Sequence, residues 1–225
     1  MDLDPLFIRS GLIIFILLVG SIILHEWGHA VAAHLLGDDT PRRDGRLTLN
    51  PLAHLDWVGT VFVPIINIFV FGGGLAFIGW GKPVVTNVAN FKHRKRDDLL
   101  VTMAGPATNL LVALVAVVIG SLTATAMPRI SNLVMGIIVM NVGLAVFNLL
   151  PIPPLDGGGV LRHIVGFSEE AYRSISRWSW IAFLLLLNIE ASQTLISNIV
   201  VRCCVPYGVL CNWINPQAYR LIFRT

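Results

Sequence analysis

The sequence predicts an all-α polytopic membrane protein, on three observations. Hydrophobic residues make up 55% of the 225-residue chain and charged residues 13%, against about 45–50% and about 25% in a typical soluble domain. The apolar residues gather in runs that approach or exceed the roughly 18–20 residues needed to cross a bilayer core. Lys and Arg fall between those runs, and the formal net charge is only +3, with no basic face of interleaved aromatics, so nucleic acid is not an expected partner. The lipid bilayer is.

The runs are Leu12–Leu24 continuing to Leu36, Val58–Ile78, Leu99–Ala126, Leu133–Leu150, and Trp178–Asn188 with its continuation. The first follows an acidic start (Asp2, Asp4) and has no small-residue cleavage site, so a cleaved leader is not expected. With no internal repeat or low-complexity tract, residues 1–225 read as one transmembrane domain. Its core spans about 7–166, and C-terminal helices cover 170–225. Cys203, Cys204 and Cys211 lack a CxxC pair and read as packing or lipid-facing thiols.

The first run carries His25-Glu26-Trp27-Gly28-His29. Residues four apart share a helix face, so His25 and His29 can offer two imidazoles to one metal, with Glu26 beside them. Three ionisable residues among Ile22, Ile23, Leu24, Val31, Leu35 and Leu36 are costly at membrane depth, which marks them as functional candidates. A catalytic zinc takes three protein ligands and leaves a fourth position to water. Glu26 is the natural proton acceptor.

The second run contains Pro64, Asn67 and Gly72–Gly74 and is the weakest span. Crossing parity explains why: if all four of the first runs crossed, the loops after Leu36 and Leu150 would fall on opposite faces. Yet the histidine pair and any ligand from the fourth run must meet at one depth. A re-entrant hairpin near Val58–Ile78 resolves this. Arg42, Arg43, Arg46, Lys82, Lys92, Arg94, Lys95, Arg96, Arg162, Arg173 and Arg177 then share a face, 11 of 16 basic residues. The positive-inside rule makes that face cytoplasmic and places the N-terminus outside. Near it, the β-prone Lys82–Asn87 can pair with Gly45–Leu49 as a small β element, either an edge for strand addition or an ordinary interfacial loop.

The fourth run breaks at Asn148-Leu-Leu-Pro151-Ile-Pro153-Pro154-Leu-Asp156-Gly157-Gly158-Gly159, since such a cluster of prolines and glycines cannot continue a helix. Irregular backbone at membrane depth survives where it lines protein or a wet cavity. Asp156, the only carboxylate there, is placed either to ligate a cation or to cap the helix Gly157–Val165. Asn148 has two roles open, a hydrogen-bond donor to a developing oxyanion or a tie between helices. His34 points off the metal face, His54 sits in a loop, and Asn109 reads as an inter-helix packing residue. Pro206 and Gly208 leave the path of the last segment open.

These residues resemble the site-2 protease family of intramembrane zinc metalloproteases. HEWGH resembles its zinc motif, Asn148 to Gly157 its N-x-x-P-x-x-x-L-D-G motif, and Ala104-Gly105-Pro106-Ala107-Thr108-Asn109 the helix start between them. Gly45–Asp56 and Gly79–Val84 are similar to stretches of the compact subgroup without PDZ or CBS domains. The resemblance implies a three-helix catalytic core with one Zn2+ on His25, His29 and Asp156. It also implies Asn148 near the scissile carbonyl and a transmembrane protein as substrate. The expected activity is hydrolysis of peptide bonds in or near transmembrane helices, water being activated by zinc and Glu26. The alternative is an inactive relative or transporter-like protein that binds metal or captures helices without cleaving. The expected location is a cell membrane, with the active site nearer the cytoplasm, and the sequence leaves the oligomeric state open.

Overall fold

The computed structural model describes residues 4–70, 79–168, 170–172, 174–179 and 189–223. Among them, four helices are long and apolar enough to cross a membrane. Helix α1 (Pro5–Leu35) opens on Asp4, whose carboxylate accepts from the Leu6 N–H at 3.0 Å, with Pro5 where a missing N–H costs nothing. Helix α2 (Trp57–Phe69) starts as a π-turn at Trp57–Phe62 and is too short to count as a span. Helices α3 (Arg94–Thr123), α4 (Ser131–Asn148) and α5 (Asp156–Val165) follow, then α6 (Glu190–Ile214) and α7 (Pro216–Phe223).

Cross-helix contacts fix the directions. His25 meets Asn109 and His29 meets Val101, so α1 and α3 are antiparallel. Asn109 meets Asn141 and Gly120 lies against Val134, so α4 is antiparallel to α3. The end of α1, the start of α3 and the end of α4 therefore share one end of the bundle. Residues 36–93 leave and rejoin the bundle at that end, and the Trp80 N–H donates to the Gly59 carbonyl at 3.1 Å. The turn of the expected hairpin, residues 71–78, lies outside the described residues, as does most of Trp178–Asn188.

The segment with Pro206 and Gly208 forms one continuous helix. Membrane helices tolerate proline because neighbouring helices satisfy the freed backbone groups. Helix α6 runs parallel to α3: the Tyr207 hydroxyl donates to the Leu110 carbonyl at 3.1 Å and Asn215 Nδ2 to that of Ser121 at 2.9 Å.

The shared core holds Leu18 and Ile22 of α1, Val117 of α3, Ile138 and Leu144 of α4, Val200 and Cys204 of α6 and Ile222 of α7. Of the α4 span 56% is buried, against 28% for α1 and for α6, which makes α4 the central helix. Lipid tails are as apolar as these side chains, so the packing here acts through van der Waals contact and hydrogen bonds. Cys204 and Cys211 are buried free thiols and Cys203 faces outward.

The small β element is not formed among the described residues, where no strand is present. Lys82–Asn87 has no regular structure and builds no ladder with Gly45–Leu49. Pro83 lacks an N–H, and the buried Arg46 guanidinium takes the carbonyls of Lys82 and Pro83, each at 3.2 Å, while also donating to that of Ala53. A side chain thus does the work expected of backbone pairing. Asp38 ties the far end of the same loop, binding the Asn87 N–H and the Asn90 amide.

Candidate metal centre

The unbroken helix of α1 puts His25 and His29 one turn apart, their Nε2 atoms separated by 3.1 Å. The chain leaves α4 at Asn148, turns through residues 149–155 and re-enters a helix at Asp156. That turn delivers Asp156 Oδ2 to 3.1 Å from His25 Nε2 and 3.4 Å from His29 Nε2. Capping is not what Asp156 does: it is the first helical residue of α5, the cap position is Leu155, and no side chain caps that end. The three side chains are 8–20% exposed, enough for a site reached from one side.

The three atoms fit a metal better than they fit one another. His25 Nδ1 lies 2.7 Å from Asn109 Oδ1 and His29 Nδ1 lies 2.7 Å from the Val101 carbonyl. Both partners are acceptors, so each imidazole carries a proton on Nδ1 and turns Nε2 inward as the nitrogen a metal would take. Asp156 Oδ2 is buried and makes no hydrogen bond. Two imidazole nitrogens and a carboxylate oxygen this close need positive charge between them, from a metal ion or, without one, from a shared proton. Their separations match the roughly 3.3–3.4 Å edges of a tetrahedron with zinc–ligand distances of about 2.0–2.1 Å. His25, His29 and Asp156 are the one such group among the described residues.

The backbone leaves room for this centre. A β-carbon at Gly105 would lie 2.6 and 2.7 Å from Cε1 and Nε2 of His25 and closer still to Nε2 of His29. The glycine of Ala104-Gly105-Pro106 is therefore the clearance that lets α3 back onto two imidazoles.

A cavity of about 420 Å³ opens beside the triad, bounded by Glu26, Asn148, Thr102, Trp80, Pro83, Val84 and Thr86. A second, of about 60 Å³, also touches Glu26 and Asn148 and is walled by Ile22, Leu144, Phe147 and Leu155. Asn148 Nδ2 donates to the Leu144 carbonyl of its own helix at 3.0 Å. His34 binds Asp39 at 2.8 Å and His54 binds the Thr48 carbonyl at 2.7 Å, so neither joins the triad.

The sequence model of peptidase family M50 matches residues 13–125 and 121–187. The chain belongs to peptidase family M50, the site-2 proteases. It is 34% identical over 180 residues to "Putative zinc metalloprotease YwhC" of Bacillus subtilis, covering 76% of this chain and 78% of that protein. It is 32% identical over 182 residues to "Putative zinc metalloprotease Rip2" of Mycolicibacterium smegmatis, covering 77% and 67%. No solved structure matches it.

This M50 chain is accordingly a multi-pass membrane zinc metalloprotease, with zinc as its cofactor. Two contributors to the M50 site were not reached from the sequence. Asn141 lies amid an apolar run, and an isolated polar residue at membrane depth was the signal that could have found it. The Val101 carbonyl leaves no trace in a side-chain pattern.

Proposed function

We propose that the protein is an intramembrane zinc endopeptidase that cleaves peptide bonds in or near transmembrane helices of membrane proteins, with its active site nearer the cytoplasm. The observation that carries this reading is the convergence of two imidazole lone pairs and an unpartnered carboxylate oxygen beside Glu26, at the wall of a cavity between helices.

Zinc held by His25, His29 and Asp156 would supply a Lewis acid that activates water and polarises a carbonyl. Glu26 takes the proton released by the attacking water and hands it to the leaving amine. Asn148 lines the same cavity, and its second amide N–H, the one not given to the Leu144 carbonyl, is the donor to the developing oxyanion. A substrate helix must unwind before its carbonyls can reach this point. Val84 and Thr86 on the cavity wall lie beyond Trp80–Pro83, whose backbone groups are largely bound to Gly59, Thr60, His54 and Arg46, and offer backbone groups to the freed strand. The return of Trp80 beside Gly59 supports the re-entrant hairpin near Val58–Ile78.

The test uses the full chain in detergent and a helical transmembrane peptide with a reporter on each side of the expected cut. Glu26→Gln is expected to retain zinc and lose about 100- to 10,000-fold in cleavage rate. Equal rates for the variant and the wild type would rule out this role. A wild-type protein that binds zinc and leaves a panel of such peptides intact would favour helix capture without cleavage.

A further inference from the structure

Three α3 residues spaced four apart meet the metal centre in different ways: Val101 by its carbonyl, Gly105 by the β-carbon it lacks, and Asn109 by its amide. The Asn109 contact leads deeper into the protein. Asn109 is fully buried and Asn141 is 1% exposed, so the bonds between them are sheltered from water and lipid alike. Asn109 Nδ2 donates to Asn141 Oδ1 at 2.9 Å and to the Ser21 carbonyl at 3.2 Å. Asn141 Nδ2 donates to the Ile137 carbonyl at 2.9 Å.

An amide has one donor end and one acceptor end, and its neighbours decide which way it faces. The Ile137 carbonyl only accepts, so Asn141 must turn its nitrogen there and its oxygen toward Asn109. That oxygen and the Ser21 carbonyl both accept, so Asn109 must turn its nitrogen to them and its oxygen to His25. His25 must then hold its proton on Nδ1. The direction of the whole chain is set by a backbone carbonyl of α4, two amides away from the imidazole.

We infer that Asn109 and Asn141 are positioning residues that fix the tautomer and orientation of His25 and thereby set the affinity of the site for zinc. The inference rests on the reading of His25 as a metal ligand. It also gives α4 three connections to one centre. Asn141 ends the relay; Asn148, two turns further along the same helix, lines the cavity; and the chain leaving α4 carries Asp156. Breaking the relay in α4 is expected to weaken a ligand on α1 although the two residues do not touch.

The experiment uses the full chain in detergent. Zinc affinity is read by chelator competition, and ligand geometry by the visible spectrum of the Co2+-substituted protein. Asn109→Leu and Asn141→Leu keep the approximate shape while removing the amides. Zinc affinity is expected to fall roughly 10- to 100-fold in the first and roughly 10-fold in the second, in the range found for outer partners of metal ligands. The Co2+ bands are expected to change in both, which loss of packing alone would not produce. Unchanged affinity and spectrum in both variants, with zinc lost in His25→Ala, would overturn the relay and leave the metal reading standing. Zinc held as tightly by His25→Ala as by wild type would overturn the metal reading, and the relay with it. A measurement on the wild-type fold needs no variant to survive. In ¹⁵N-histidine spectra of the zinc-free protein, with His25 assigned by its loss in His25→Ala, a proton on Nδ1 is expected, and a ring protonated on Nε2 but not on Nδ1 would overturn the relay.

Discussion

Asp38 and Asp156 are both carboxylates withdrawn from water at the same end of the bundle, and their surroundings treat them oppositely. Asp38 is fully buried and accepts from the Thr40 N–H at 3.1 Å, the Thr40 hydroxyl at 2.6 Å, the Asn87 N–H at 2.6 Å and the Asn90 amide at 2.7 Å. Asp156 Oδ2 accepts from no backbone N–H, amide or hydroxyl and faces only the two imidazole Nε2 atoms, at 3.1 and 3.4 Å. The first carboxylate is complete without a ligand, and its work is to hold the loop Gly37–Asn90 closed. The second is complete only with a cation. Burial is common to both, so what separates a structural carboxylate from a functional one here is the balance of donors and acceptors around it.

The comparison breaks most readily at Asp156. Asp156→Ala removes a direct ligand and is expected to lower zinc affinity by more than the roughly 10- to 100-fold that loss of an outer partner costs. Metal analysis of the purified variant, with chelator competition, measures it. Zinc retained at wild-type affinity would remove Asp156 from the ligand set. Gly105→Ala tests the same centre without touching a ligand. The added β-carbon meets both imidazoles, and α3 must shift off α1 to admit it. Zinc affinity is expected to fall by roughly 10- to 100-fold, comparable to loss of an outer support. An unchanged affinity would show that α3 does not define the site.

Much of the site was legible because its chemistry is carried by rare residues in unusual places. His25, Glu26 and His29 stand out in an apolar run, and Asp156 is the sole carboxylate in a stretch no helix can traverse. The spans were legible for the same reason, as hydropathy reports them directly. What escaped was decided by partners distant in sequence. Nothing near Lys82–Asn87 announces that Arg46 will take its carbonyls, so β-prone residues suggested a ladder that the side chain replaces. Whether Asp156 capped α5 or faced a metal could not be settled from Gly157–Gly159 alone, since either role suits a carboxylate at a helix start. Asn109 read as packing between helices, which it also is. Only the position of Asn141 gives that packing a direction.

The smallest expected effect comes from the complete carboxylate. Asp38→Asn keeps the size of the side chain but sets an amide N–H where the native oxygens accept from Thr40, Asn87 and Asn90. One or two buried donors then lose their partner, at a cost of about 1–3 kcal/mol, while zinc affinity should stay at the wild-type value because Asp38 is not among the metal-facing residues. Burial pushes the Asp38 carboxyl up, and the bonds from Thr40, Asn87 and Asn90 outweigh it, so its folded pKa lies below the ordinary 3.8. A group with a depressed folded pKa stabilises the fold above its unfolded pKa, and that contribution is lost as pH falls through the folded pKa. The difference in thermal midpoint between wild type and Asp38→Asn should therefore be constant above about pH 5 and shrink as the pH falls below about 4. A gap that held to lower pH would mean the variant acts through shape alone. A fall in zinc affinity would mean that the loop Asp38 closes is part of the metal centre, and the two carboxylates would no longer stand apart.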